Sequence, residues 1–148
     1  MALEQEPDDG TILDYSEAKR CIKHCITQRW QCQWHVIIEN KLREIKNVVS
    51  KFKCKAQTRR DNVVLTRLRI GHTQLTHNYL LDRSEVPRCR KCNDILTVKH
   101  IIVNCQGYDE ERKRINISPN LREALADSDD RIEKVLEFFR TIDLYNLI

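Results

Sequence analysis

Residues 130–142 read Asp-Arg-Ile-Glu-Lys-Val-Leu-Glu-Phe-Phe-Arg-Thr-Ile. Ile132, Val135, Leu136, Phe139 and Ile142 recur at the spacing that puts apolar side chains on one face of an α-helix. Asp130 with Glu133 three residues on is a capping-box start signal for that helix. The same period recurs upstream. Asp14 followed by Glu17 opens a helix whose Ala18, Ile22, Ile26, Trp30 and Trp34 form an apolar ridge to about His35. Leu42, Ile45, Val48, Val49 and Phe52 resume the period after a break near Asn40. A helix from about Asp61 carries Val64, Leu65 and Leu68 and ends at Gly71, since glycine is favoured just past a helix end. Short helices are expected over 73–81 and 97–105, and Asp109-Glu110-Glu111 begins another. Ser118-Pro119 is a further start, with Ser as N-cap and Pro first in the helix. No stretch alternates convincingly with period two. The sequence therefore predicts a mostly α, small multi-helix domain with one irregular insertion around the cysteines.

Length and composition agree with that reading. A chain of 148 residues, 41% hydrophobic and 32% charged, holds one domain with a modest core under a charged surface. Three organisational regions are expected: a disordered acidic lead-in over 1–13, an N-terminal helical region with a basic loop over 14–60, and a helical domain over 61–148. The longest run without a charged residue, Ile70 to Leu81, is twelve residues, too short to span a bilayer. Met1-Ala2-Leu3-Glu4-Gln5-Glu6 lacks the basic and apolar regions of a signal peptide. An intracellular protein, nuclear or cytoplasmic, is expected, with no membrane partner and with thiols kept reduced. Seven cysteines then suggest metal ligands or buried residues rather than a disulfide framework.

Six of them fall into two sets of different weight, each of three cysteines with a histidine. Cys89, Cys92, His100 and Cys105 spell C-x2-C-x7-H-x4-C, and three thiolates with one imidazole make a closed tetrahedral set for Zn2+. A closed set leaves no position for water, so such an ion is structural rather than catalytic. On a continuous α-helix His100 and Cys105 lie about 140° apart, a mild strain on the arrangement. The alternative is four separately buried residues, as cysteine is often inert in cores. Cys21, Cys25, Cys32 and His35, with His24 alongside, are a rival set, and they read more simply as small buried residues flanking Ile22 and Ile26. Cys54 lies between lysines, which can acidify a thiol, although an ordinary loop cysteine is the simpler reading. His72 and His77 read as local hydrogen-bonding residues, with a backup ligand role as the alternative.

Arg67-Leu68-Arg69-Ile70-Gly71-His72-Thr73, Leu75-Thr76-His77, Tyr79-Leu80-Leu81, the Cys89/Cys92 pair, Leu96 to Ile102 and Cys105 together resemble a known segment. It is the C-terminal region, downstream of the ribonuclease H domain, of the reverse transcriptase polyprotein of jockey-like non-LTR retrotransposons. The resemblance covers residues 14–148 and is most specific from Arg67 to Cys105. It implies a zinc-knuckle-like nucleic-acid-binding role for Cys89, Cys92, His100 and Cys105, with the ribonuclease H and polymerase domains of the polyprotein as possible partners. The catalytic domains of such polyproteins do not fit in this chain, and no enzyme motif stands out in it. The chain is therefore expected not to be an enzyme.

Charge is strongly segregated. Residues 41–91 carry 14 basic and 4 acidic side chains, net +10, whereas 1–40 and 92–148 are each net −3. Lys51, Lys53, Lys55, Arg59, Arg60, Arg67, Arg69, Arg88, Arg90 and Lys91 are the candidate phosphate contacts. Basic side chains neutralise phosphates and release counterions, giving salt-sensitive binding without sequence preference. Phe52 and Tyr79 are the only aromatics in this third, so contact with the backbone of RNA, DNA or an RNA–DNA hybrid is expected over base stacking. The alternative is a metal-free helical protein-interaction module, a recruited or decayed retrotransposon fragment with Trp30 and Trp34 as anchors.

Overall fold

Helix α8 (Asp129–Thr141) buries Ile132, Val135, Leu136, Phe138 and Phe139 and is the spine of the core. The computed structural model describes residues 14–148, so the lead-in over 1–13 lies outside the described residues. Within them the chain is mostly α, as its periodicity predicts, and contains no strand. The remaining α-helices are α1 (Tyr15–Val36), α2 (Lys41–Ile45), α3 (Arg59–Ile70), α4 (Gln74–His77), α5 (Tyr79–Asp82), α6 (Asp109–Ile115) and α7 (Leu121–Ala124). Between α5 and α6 runs a short hairpin, and after it a single π-helical turn, His100–Asn104.

Against α8 pack Val64, Leu65 and Leu68 of α3, Ile101 and Ile102 of the π turn, Leu121 and Ala124 of α7, and the C-terminal Ile148. Ile45 of α2 joins the same cluster. A polar tie crosses it. Asp61, buried in α3, accepts from Tyr145 Oη at 2.8 Å and from the Arg140 guanidinium. Burial alone would raise its pKa. Hydrogen bonds from Thr58 and Tyr145 and the Arg140 charge outweigh that and hold its carboxyl below the usual range.

Helix ends depart from the expected ones where two side chains compete for a cap. Helix α3 begins at Arg59, because Thr58 Oγ1 accepts the Asp61 N–H at 3.0 Å. Helix α7 begins after Asn120, whose side chain accepts the Arg122 N–H at 2.9 Å. Ser118 is not that cap: it is buried and its hydroxyl donates to Glu123 at 2.8 Å. Neither expected capping box forms. The side chain of Asp14 takes the Ser16 hydroxyl, and Asp130 pairs with Lys134 at 2.9 Å. Gly71 does end α3, in the left-handed conformation at φ +76°, its N–H bonded back to Arg67 and Leu68.

The largest departure is α1. Its ridge is not core: no residue of the helix is buried, and Trp30 is 59% exposed. Only the C-terminal end is tied down. There Gln31 exchanges hydrogen bonds with Asn47 and Val49, and the Trp34 indole donates to the Lys46 carbonyl at 3.0 Å.

Candidate metal centre

Two backbone devices bring the four ligands together. The first is a tight hairpin turn. Cys89 N–H donates to Asp94 O and Asn93 N–H to Cys89 O, both at 2.8 Å, and Leu96 N–H to Pro87 O at 2.9 Å. Asn93 takes a left-handed φ of 63°, which asparagine tolerates better than most residues. This turn places the Cys89 and Cys92 sulfurs on one side.

The second device is the π turn. Thr97 Oγ1 accepts the His100 N–H at 3.0 Å, and the chain then widens so that Cys105 N–H donates to His100 O at 2.7 Å, an i to i+5 bond. The widening removes the angular mismatch that a regular helix would impose between those two residues. Ile101 and Ile102, 1% and 0% exposed, fasten the turn into the core. Arg112 of α6, itself buried, donates to the Ile101 carbonyl at 3.3 Å.

The resulting cluster is compact. The four ligand atoms all lie within 4.8 Å of one another. Cys105 Sγ is 3.5 Å from Cys89 Sγ and 3.8 Å from Cys92 Sγ, and Cys92 Sγ is 3.1 Å from His100 Nε2. A tetrahedral ion with sulfur bonds of about 2.3 Å requires sulfur pairs about 3.8 Å apart. A disulfide requires about 2.05 Å, and all three thiols are free. The set can therefore hold a metal ion. His100 Nε2 is the inward nitrogen, and Nδ1 faces the Asp94 carboxylate at 4.0 Å, on the side where outer carboxylates commonly orient a ligating imidazole. Cys89, His100 and Cys105 are buried, and Cys92 is half-buried.

Burial and hydrogen bonding push the two buried thiols in opposite directions. Burial raises the Cys89 pKa, but the backbone N–H groups of Lys91 and Cys92, with His100 and Cys105, overcome it and bring it to about 6. Burial and the neighbouring Cys89 push Cys105 the other way, to about 12.

Asp94 and Gly107 escaped the sequence reading, although each sits two residues past a ligand. A Cβ added at Gly107 would lie 2.4 Å from Lys91 Cβ and 2.8 Å from its Cγ, so this position, two residues past Cys105, fits under the hairpin only as glycine. Overpacking of this kind costs about 1–3 kcal/mol. Gly107→Ala is expected to weaken metal binding on the order of tenfold in a chelator-competition titration, and unchanged affinity would show that the hairpin moves freely.

The basic residues separate into available and engaged. Arg90 and Lys91 project from the turn between the first two ligands, both exposed, with Lys91 Nζ 5.9 Å from the Tyr108 ring centroid. Arg88 is exposed and donates to Asn93 O at 3.0 Å. Lys51, Lys53, Lys55 and Arg59 are exposed on the loop and first turn leading into α3; Arg60, also exposed, donates to the Tyr145 carbonyl at 3.4 Å, and Arg67 contacts the Ile148 carbonyl. Arg69 is a correction: it is 5% exposed, donates to the carbonyls of Leu125 and Ala126, and lies 3.8 Å over the Phe52 ring. It is an internal strut and cannot meet a phosphate.

The other cysteines also differ from expectation. Cys21, Cys25 and Cys32 are exposed rather than buried. Cys54 is not acidified. Burial, then Asp129 and Asp127, push its thiol up, because its neighbours in space are carboxylates although its neighbours in sequence are lysines. His77 bonds to its neighbour Thr76 Oγ1 at 2.7 Å but also, across the fold, to Lys41 Nζ at 3.0 Å, and it stacks on His72.

Comparison of the chain with protein-family models, with curated proteins and with solved structures finds no match.

Proposed function

We propose that the chain is a non-enzymatic nucleic-acid-binding module whose hairpin is organised by one structural Zn2+ ion. The observation that carries this reading is the convergence of Cys89, Cys92, His100 and Cys105 with Arg90 and Lys91 exposed on the turn between the first two. Zinc is favoured by the donor set, since three thiolates and an imidazole suit a borderline ion in a tetrahedron, and sulfur separations of 3.5 and 3.8 Å fit its bond lengths. The ion's role is structural because the protein supplies all four ligands.

The knuckle cations then meet phosphates of RNA, DNA or their hybrid, and the loop cations Lys51, Lys53 and Lys55 extend the footprint. Arg59 and Arg60 occupy the first turn of α3, where the helix dipole disfavours positive charge. A phosphate ligand makes that placement useful. The resemblance to the C-terminal region of jockey-like reverse transcriptase polyproteins supports the same role, with ribonuclease H and polymerase domains as neighbours in such a chain. The charge-reversed pair Arg90→Glu/Lys91→Glu tests it. Removing two phosphate contacts should lower the slope of log affinity against log salt by about 1.8 on duplex DNA and about 1.4 on single strands. Metal content should stay constant. An unchanged slope rejects the knuckle as the contact surface.

A second reading, a helical protein-interaction module, is favoured by one observation: Ile22, Ile26 and Trp30 of α1 are exposed together. Trp34 is better explained as the anchor of α1 to residue 46. Absence of nucleic-acid binding by a metal-loaded, folded protein would favour this reading.

A further inference from the structure

Helix α1 carries ligand chemistry that the metal centre does not use. Cys21, Cys25 and Cys32 are free, exposed thiols on a helix with no buried residue. At about 100° of turn per residue, Cys25 lies about 40° and Cys32 about 20° around the helix from Cys21, so the three share one stripe. Positions 21, 25, 28, 32 and 35 (Cys, Cys, Gln, Cys, His) step alternately by four and three residues, which keeps them on one side of the helix, although they are not the apolar residues of a coiled-coil seam. The side chains that tie α1 to the body, Gln31 and Trp34, lie about 100° and 160° from that stripe. The thiols therefore face away from the chain's own core.

Cys21 and Cys25, at i and i+4, have Cβ atoms about 5–6 Å apart. Rotation about χ1, with no side chain of α1 packed into the core, closes the sulfurs to the about 3.8 Å of a tetrahedral thiolate pair. Two thiolates are half of such a set. Among the described residues, three or more ligand atoms converge only at Cys89, Cys92, His100 and Cys105, so this chain does not complete the α1 pair by itself. A second copy does.

We propose that the α1 helices of two copies lie side by side and share one soft divalent ion through Cys21 and Cys25 of each, forming a metal-bridged dimer. Charge makes the pairing conditional on the ion. Lys19, Arg20, Lys23 and Arg29 outnumber Glu17 along α1, so two bare helices repel. A divalent ion with four thiolates carries a net charge of −2 and offsets this repulsion. The site is incomplete without the partner copy, and it stands independently of what the Cys89 cluster binds.

The experiment is a Cd2+ titration of the full chain under a phosphine reductant, following thiolate-to-metal charge-transfer absorbance and the sedimentation mass. Zn2+ serves as a second probe for mass. The wild type should take up half an equivalent of metal per chain more than Cys21→Ser/Cys25→Ser, and its mass should double with metal and halve again with excess EDTA. The double variant should stay monomeric with unchanged helicity, and Cys32→Ser should behave as wild type. A wild type that stays monomeric at saturating metal, a dimer that survives EDTA, equal metal uptake by the double variant, or loss of the dimer in Cys32→Ser would each overturn the proposal.

Discussion

Stripping the metal from Cys89, Cys92, His100 and Cys105 is expected to lower the thermal midpoint by on the order of 10–20 °C. An ion held only by the folded state adds RT ln(1 + [metal]/Kd), about 4 kcal/mol at a thousandfold excess over Kd. Each kcal/mol moves the midpoint of a body this size by a few degrees. The effect is large because the site is built into the core: Cys89 and Cys105 are 3% and 0% exposed, and the π turn between His100 and Cys105 carries Ile101 and Ile102 inward. Without an ion, the Cys89 and Cys105 sulfurs stay buried 3.5 Å apart, where any charge is costly to hold. The loss of order should concentrate in residues 87–108 and spare α1, which shares no buried residue with the centre. Cys92→Ser should lose one equivalent of metal, and Cys54→Ser should keep it. Because ligands must shed protons to bind, affinity should rise with pH across the neutral range, as Cys105, whose thiol burial holds protonated, gives up its proton to the ion. Calorimetry with and without a strong chelator decides the matter, and an unaltered midpoint would end the structural-metal reading.

The parts of this molecule that were legible in its sequence are those decided locally. The apolar period of α8 and the spacing of Cys89, Cys92, His100 and Cys105 are one-dimensional patterns that need no knowledge of neighbours. Even the angular misfit between His100 and Cys105 could be read. Its solution could not, because the π turn is held by contacts from elsewhere in the chain, the burial of Ile101 and Ile102 and the Arg112 bond to the Ile101 carbonyl.

What failed was decided in three dimensions. Arg69 counts as a cation in sequence, yet Phe52 and the carbonyls of Leu125 and Ala126 enclose it. Cys54 has lysine neighbours along the chain and Asp127 across it. Ser118 and Asn120 are both good caps, and Glu123 decides between them by taking the serine hydroxyl. The ridge of α1 shows how far periodicity reaches: it identifies an apolar face and is silent on whether the same chain covers it.

Phe138→Ala is expected to cost about 3–5 kcal/mol, a large share of the roughly 5–15 kcal/mol that holds a domain together. The ring is 0% exposed and stands edge-on to Phe139 at 5.5 Å and to Tyr108 at 6.4 Å. The second contact gives the substitution a reach that other core truncations lack. Tyr108 follows Cys105 by three residues, immediately precedes α6, and lies against Lys91 of the hairpin. A cavity at Phe138 therefore slackens the segment that sets the Cys105 sulfur against Cys89 and Cys92. Urea unfolding at saturating metal should show the full stability loss, and chelator competition should show a several-fold fall in metal affinity. Val64→Ala serves as the comparison, since Val64 is equally buried but lies in α3, away from the ligand segment. It should lower stability while leaving metal affinity within twofold of the wild type. Equal affinity losses in the two variants would mean that the centre responds to global stability alone, and that Phe138 and Tyr108 do not link α8 to the metal ligands.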